Sequence, residues 1–205
     1  MKLLYQTHSP YARKVLVMAH EAGLAGRIEV IQHETSPTRR NEAVFAANPL
    51  GKVPVLICAD GLALFDSVAI CDHLDGLHDG PKLIPPSGRA RALTLRLQAL
   101  AQGLADAGIA LRWDTERRPE ALRYPALAEG QAAKLEAGYD FAEREVAFDG
   151  PVELGQIALA TALSWLEFRG LPAFRPGRPR LSAWFDTFSR RPSMLATPLS
   201  GETQD

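Results

Sequence analysis

Cysteine is scarce in this chain. Only Cys58 and Cys71 occur among 205 residues, and no CxxC pair is present. Cys58 lies in a strand-like run and Cys71 in a helix-like one, so both read as buried, reduced thiols rather than a disulfide framework. The five histidines follow no metal-ligand spacing, His73 and His78 being five apart; no metal site is expected. An excess of one charge is also missing. The 23 Lys and Arg against 24 Asp and Glu leave a formal net charge of −1. No overall field therefore draws the chain to nucleic acid or to an anionic membrane, and neither is expected as a partner. Long apolar runs are absent too: Met1–Gln6 is too short for a signal peptide, and nothing approaches a membrane span. A cytoplasmic location is expected. No internal repeat or low-complexity tract appears, and the hydrophobic content of 46% and charged content of 23% are those of a globular protein.

What is present divides into two halves. Residues 1–77 alternate short apolar runs with helical patterns. Lys2–Gln6 reads as a strand and Pro10–Ala22 as a helix, stopped by Gly23 as a left-handed cap. Arg27–Gln32 reads as a second strand, which favours a parallel pair. A short helix is expected near Glu42–Ala47. Next come two apolar runs, Val53–Cys58 and Leu62–Leu64, joined by Asp60-Gly61; that dipeptide predicts a tight hairpin with positive φ at both turn positions. Ser67–Leu77 closes the half as a helix. The order is β-α-β-α-β-β-α, a small mixed sheet with helices packed on it. Residues 78–87 read as a linker. Residues 88–205 carry only helical patterns, at Arg89–Arg118, Ala126–Ala147, Leu154–Arg169 and Arg180–Arg190, with Ser193–Asp205 as a loose tail. The fold class is thus α/β followed by an all-α bundle.

Three constellations in the first half could carry chemistry. In Thr7-His8-Ser9-Pro10-Tyr11, serine before proline reads as an N-cap with first-turn proline. The same hydroxyl has one proton and two lone pairs, so it can accept from its helix and donate to an anion above it. Bringing a free thiol from pKa ~8.5 to ~6.5 needs roughly 2.7 kcal/mol. One hydrogen bond to a charged acceptor contributes about 1.5–3 kcal/mol, and a helix N-terminus adds about 0.3–1 kcal/mol, at most ~2. A serine at a helix start can therefore stabilise a thiolate without a cationic residue. In Asn48–Leu56, Pro54 belongs at a strand's beginning or edge and pushes Val53 to extended backbone. Val53 could then pair with an extended peptide ligand, or the stretch is a plain turn into a strand. In Phe65-Asp66-Ser67, either Asp66 or Ser67 can cap the next helix. Together they could instead receive a carboxylate and an ammonium, as in an amino-acid head group.

Taken together these pieces resemble the glutathione S-transferase family, over essentially the whole chain and in the manner of its bacterial serine-type members. Ser9-Pro10-Tyr11 is similar to the family's serine thiol activator, and Asn48–Leu56 to its loop ending in a cis-proline at Pro54. Asp66-Ser67 is similar to the pair holding the γ-glutamyl end, although glutamate or glutamine is commoner than aspartate there. Arg178–Trp184 followed by Arg191-Pro192-Ser193 is also familiar from bacterial members. The resemblance implies a thioredoxin-like N-terminal domain, an α-helical second domain and a homodimer. It implies glutathione as co-substrate, held by Ser9, Lys52, Val53, Pro54, Asp66 and Ser67, with Ser9 catalytic. It also implies a small electrophile as second substrate, with Tyr11, Leu111, Arg112 and Trp113 as candidate pocket residues. The serine or threonine and aspartate that usually open a core helix are replaced by Glu153-Leu154-Gly155-Gln156, so a capping box is lost. The expected function is a glutathione transferase that attacks a small electrophile. The rivals on the same scaffold are a non-catalytic glutathione-binding or regulatory protein, and a glutathione-dependent peroxidase or isomerase.

Overall fold

The computed structural model describes residues 1–202. It divides into two compact units, Met1–Arg91 together with residues 191–202, and Ala92–Arg190. The sequence reading puts the last segment with the helical half; in the structure it packs with the first.

Unit 1 begins with β1 (Lys2–Tyr5), α1 (Pro10–Glu21), β2 (Glu29–Gln32) and α2 (Glu42–Ala47). It continues with β3 (Val55–Ile57), β4 (Ala63–Leu64) and α3 (Ser67–Asp75). The four strands form one sheet in the order β2-β1-β3-β4. β1 and β2 are parallel, while β3 runs antiparallel to both β1 and β4. Successive side chains of a strand face opposite sides, and both faces here are covered. Leu4 packs with Val44 of α2, Val53 and Val55 on one side, while its neighbour Leu3 is fully buried on the other. A strand buried on both faces needs a continuous apolar run, which explains why β1 shows no polar alternation. α1 packs against α3, burying Val15, Met18, Ile70 and Leu74. Gly23, at φ +69°, ends α1 as expected.

The β3–β4 connection corrects one expectation. Gly61 has φ +89°, but among the described residues no non-glycine has positive φ, Asp60 included. Gly61 N–H donates to Cys58 O at 3.1 Å and Cys58 N–H to Leu62 O at 2.8 Å. The hairpin loop is therefore three residues long with glycine at its one left-handed position, and Asp60 instead accepts from Leu62 N–H at 3.0 Å. The ladder is correspondingly shorter than the apolar runs that flank it.

The loose tail is also corrected, in its described part; residues 203–205 lie outside the described residues. Pro192–Leu195 forms α8, which packs on α1. The Arg191 guanidinium grips Glu21 through two bonds of 2.8 Å, and Ser193 Oγ donates to the same carboxylate at 2.5 Å. Further on, Thr7 Oγ1 donates to Ser200 O at 2.7 Å while Ser200 N–H donates to Thr7 O at 3.2 Å. A polar terminal sequence gives no periodic signal, but these bonds hold it.

Unit 2 contains most of α4 (Gly88–Arg112), then α5 (Pro125–Glu145), α6 (Leu154–Phe168) and α7 (Pro179–Phe188). The predicted helix 89–118 is divided: α4 stops at Arg112 and a π-helical turn covers Trp113–Arg117. α6 is buried along nearly its whole length, so it is apolar all round. Its N-terminus has no side-chain cap. Glu153, at the cap position, accepts a hydrogen bond from Thr94 Oγ1 of α4 instead. At α7 the first-turn amides of Arg180 and Leu181 are satisfied by the Glu143 carboxylate of α5, at 3.1 and 2.7 Å. Arg178, just before α7, is buried and bonded to Asp140 at 2.8 Å and Glu136 at 2.6 Å.

Two predictions follow from this packing. A Cβ at Gly155 would lie 2.8 Å from the Thr94 carbonyl oxygen and 2.9 Å from Leu97 Cβ. Backbone cannot swing aside, so overpacking of about 1–3 kcal/mol exceeds the ~1 kcal/mol gain in helix propensity. Gly155→Ala is expected to lower Tm by a few degrees in a circular-dichroism melt; an unchanged or raised Tm refutes the close approach. The second concerns Glu21. Its pKa is held below the usual carboxylate value by the Arg191 hydrogen bond, against an opposing effect of burial, with Ser193 adding to the lowering. A lowered folded pKa means stability that is present above the unfolded value near ~4.3 and lost as pH falls through the folded one. Glu21→Gln should cost about 1 kcal/mol at pH 7, with the gap from wild type closing as melts are repeated at progressively lower pH. A gap that persists in acid would mean the loss is not carried by the charge.

Candidate functional site

Strand order brings three separate segments to one end of the unit 1 sheet. β1 leaves the sheet at Tyr5 and leads to Ser9. β3 runs antiparallel to it, with Leu4 opposite Val55, so Val53 and Pro54 enter at that same end. β4 runs antiparallel to β3, with Leu64 opposite Leu56, so Asp66 and Ser67 leave there as well. Neighbouring strands are about 4.8 Å apart, which sets the scale of the site: one strand spacing from the Ser9 segment to the Val53 segment, and a second to Asp66.

Each segment is locally determined. Ser9 has extended backbone and caps α1, its Oγ accepting from Ala12 N–H at 3.2 Å. Pro10 occupies the first helical position, where no backbone donor is missed. Ser9 is buried, at 5% exposure, so little of it is open to bulk water. The Val53–Pro54 peptide bond is cis, as the resemblance implies; the Phe65–Asp66 bond is cis as well. Val53 and Pro54 are buried, whereas Lys52 is exposed. Between the two capping readings, Asp66 is the N-cap of α3: its Oδ1 accepts from Val68 N–H at 2.7 Å. Ser67 Oγ lies 3.4 Å from the same oxygen. That is long for a hydroxyl hydrogen bond, so the buried Ser67 hydroxyl is not locked to its neighbour.

The loop that carries Val53 is braced by residues whose roles the sequence reading does not assign. Asn48 is 2% exposed; its Oδ1 accepts from Leu50 N–H at 3.0 Å and its Nδ2 donates to Lys52 O at 2.9 Å. Thr35 Oγ1 donates to Gly51 O at 3.0 Å. Gly51 has φ +61°, and a Cβ there would run into the Phe45 ring. Gln6 Nε2 donates to Thr35 O at 2.8 Å and to Glu34 at 3.2 Å, tying the Ser9 segment to the β2–α2 loop. Asn41 caps α2 and donates to Glu34 O at 2.9 Å. An asparagine ahead of Glu42 was a legible cap signal; the long-range roles of Gln6 and Thr35 had none.

Of the candidate electrophile residues, Tyr11 stands in the first turn of α1 in unit 1 and is half-buried. The other three belong to unit 2. Leu111 is buried, Arg112 pairs with Glu116 at 2.8 Å, and Trp113 opens the π-helical turn with the Arg117 guanidinium 5.9 Å from its ring. The two cysteines differ. Cys71 is fully buried and burial pushes its thiol up to about 12. Cys58 is half-buried, contrary to expectation, because it follows β3 at the hairpin, and its Sγ lies 3.6 Å from His73 Nε2. Among the described residues no group of three His, Cys, Asp or Glu could hold a metal ion, and no helix is long and apolar enough to cross a membrane.

Comparison with known proteins decides the family. Residues 8–77 match the glutathione S-transferase N-terminal domain and residues 125–187 the C-terminal domain. The chain is 30% identical over 203 residues to the uncharacterised GST-like protein YibF of Escherichia coli K12, covering 96% of this chain and 98% of that one. This chain belongs to the glutathione S-transferase family. Among solved glutathione S-transferase structures, a member from Pseudomonas fluorescens Pf-5 with bound glutathione is 35% identical, with TM-score 0.93 over 98% of this chain and 99% of that one. A second, from Methylobacillus flagellatus KT with glutathione bound, is 34% identical, with TM-score 0.85 over 97% and 99%. The thioredoxin-like sheet domain followed by an all-helical part is thus the transferase fold. The Asn48 brace is testable. Asn48→Ala removes both part-buried hydrogen bonds that brace the loop, and should cost about 1–3 kcal/mol and speed hydrogen exchange at Leu50 and its loop neighbours. Unchanged exchange there would remove Asn48 from its bracing role.

Proposed function

We propose that the protein is a glutathione transferase in which Ser9 stabilises the glutathione thiolate for attack on a small electrophile. The observation that carries this reading is the state of the Ser9 hydroxyl. It already accepts from Ala12 N–H, so its own proton is the part left to donate, toward the sheet end where Val53 and Asp66 also emerge. An extended tripeptide spans roughly 10 Å at about 3.3 Å per residue, which suits two strand spacings. Glutathione lies along Val53 and Pro54, whose free backbone groups pair with its cysteinyl unit. Its γ-glutamyl head meets Asp66 and Ser67: the aspartate takes the ammonium, while the hydroxyl and backbone amide of Ser67 take the carboxylate. Lys52, exposed in the loop, takes the glycyl carboxylate. The chain acts as a cytoplasmic homodimer, in keeping with the family resemblance.

Attack proceeds as the thiolate sulfur forms a bond to the electrophile's carbon and the electron pair leaves with the departing group. Ser9 donates its hydrogen bond to the sulfur before that step and helps hold the thiolate charge, together with the α1 N-terminus. The test is an ultraviolet thiolate titration across pH for wild type, Ser9→Ala and Ser9→Gly. Glycine preserves most of the cap's stability, so it separates loss of the hydroxyl from loss of the helix start. Both variants should return the bound thiol toward ~8.5 and lower turnover at least tenfold, with glutathione affinity changed far less. Equal loss of turnover and affinity, or loss of neither, rules out the role given to Ser9. Saturable binding in wild type with an ordinary thiol pKa would make the protein a glutathione-binding protein without this chemistry.

A further inference from the structure

The turn that presents Ser9 is held from two sides. Ser9 N–H donates to Gln6 O at 3.1 Å, which closes residues 6–9 into a tight turn between β1 and α1. On one side the terminal segment holds it, through the hydroxyl and carbonyl of Thr7 bonded to Ser200. On the other side stands the Glu34 carboxylate. Gln6 Nε2 donates to Glu34 Oε2 at 3.2 Å, and His8 Nε2 lies 3.9 Å from that same oxygen. The first and third residues of the turn thus converge on one atom, and the third directly precedes Ser9.

Glu34 is itself fixed. Its other carboxylate oxygen accepts from Gln32 Nε2 at 3.2 Å, and its backbone carbonyl accepts from Asn41 Nδ2 at 2.9 Å. Gln6 and His8 are buried, and the Glu34 side chain is 20% exposed. Polar groups shielded to that degree hold their geometry more firmly than surface pairs do. A carboxylate suits this place, because it accepts at both oxygens where an amide of the same shape accepts at one. The aim of a reacting group matters: a displacement of about 1 Å can cost on the order of 100-fold in rate.

We propose that Glu34 is a positioning residue for the thiolate chemistry, setting the aim of the Ser9 hydroxyl through Gln6 and His8. This inference rests on the reading of Ser9 as hydrogen-bond donor to the thiolate. Its effect has a distinctive sign. Taking a carboxylate away from the neighbourhood of a thiolate lowers the thiol's pKa, because a like charge is gone. Losing the aim of Ser9 raises it.

The test is a thiolate titration of bound glutathione on the full chain, for wild type, Glu34→Ala, Ser9→Ala and the double variant. Glu34→Ala should raise the bound thiol by about one pKa unit, which leaves about tenfold less thiolate below that pKa. Turnover should fall by a similar factor, with glutathione affinity changed far less. In the Ser9→Ala background the same substitution should add no further rise, since the hydroxyl through which Glu34 acts is gone. Amide exchange at Ser9 should quicken in Glu34→Ala. Should Glu34→Ala fold poorly, Glu34→Gln keeps the shape and one acceptor, and should raise the thiol in the same direction by less. A thiol pKa that falls or stays put when Glu34 is replaced, or a rise that persists undiminished without the Ser9 hydroxyl, overturns the role given to Glu34 alone. A thiol unmoved by Ser9→Ala overturns the reading of Ser9 and this inference with it.

Discussion

The antiparallel pairing of β1 with β3 is the constraint on which the site depends. Leu4 opposite Val55 fixes where the Ser9 segment leaves the sheet and where Val53 enters it, and the two can meet only because the strands run in opposite directions. A parallel β3 would carry Val53 to the far end. The pairing in turn depends on burial on both faces of the sheet, because a one-residue slip would move Leu3 and Leu4 to each other's side. The short ladder is held in register by packing rather than by length.

Helix ends in this protein are often completed by side chains from elsewhere in the same unit. Glu143 of α5 accepts the first amides of α7. Glu21, in the last turn of α1, holds Arg191 and Ser193 at the start of α8. Glu153 gives up local capping and bonds Thr94. Each arrangement exchanges a local bond for a long-range one, so helix starts report on tertiary packing. Arg178 belongs to the same pattern: two carboxylates of α5 compensate its burial, and removing either side alone would leave an uncompensated charge.

This division explains what the sequence made legible. The order of strands and helices, the Ser9 cap and the Gly23 stop were readable because they depend on residues within four positions of each other. The hairpin type was misread because Asp-Gly is compatible with more than one loop, and the choice depends on which backbone groups pair across it. The docked terminal segment was invisible because Arg191, Ser193 and Ser200 find partners 170 to 193 residues away. Gln6 and Thr35 were missed for the same reason: each side chain braces a loop distant in sequence. Asn48 and Gly51 stood inside a quoted motif, yet spacing alone could not show that one holds the loop and the other makes room for Phe45.

Ser9 shows why a structural and a chemical reading of one residue need not compete. As a cap its oxygen accepts from Ala12 N–H, and in the role proposed for it the same hydroxyl would give its proton to the thiolate. The two uses occupy different parts of one hydroxyl, so the cap itself orients the donor. An alanine there loses the hydroxyl and destabilises the helix start, whereas a glycine loses the same hydroxyl but keeps most of the helix start's stability. The low exposure of Ser9 strengthens the argument, because a hydrogen bond shielded from water holds a charge more tightly than one made in bulk solvent. A structural cap of this kind is therefore already most of the apparatus that a thiolate needs.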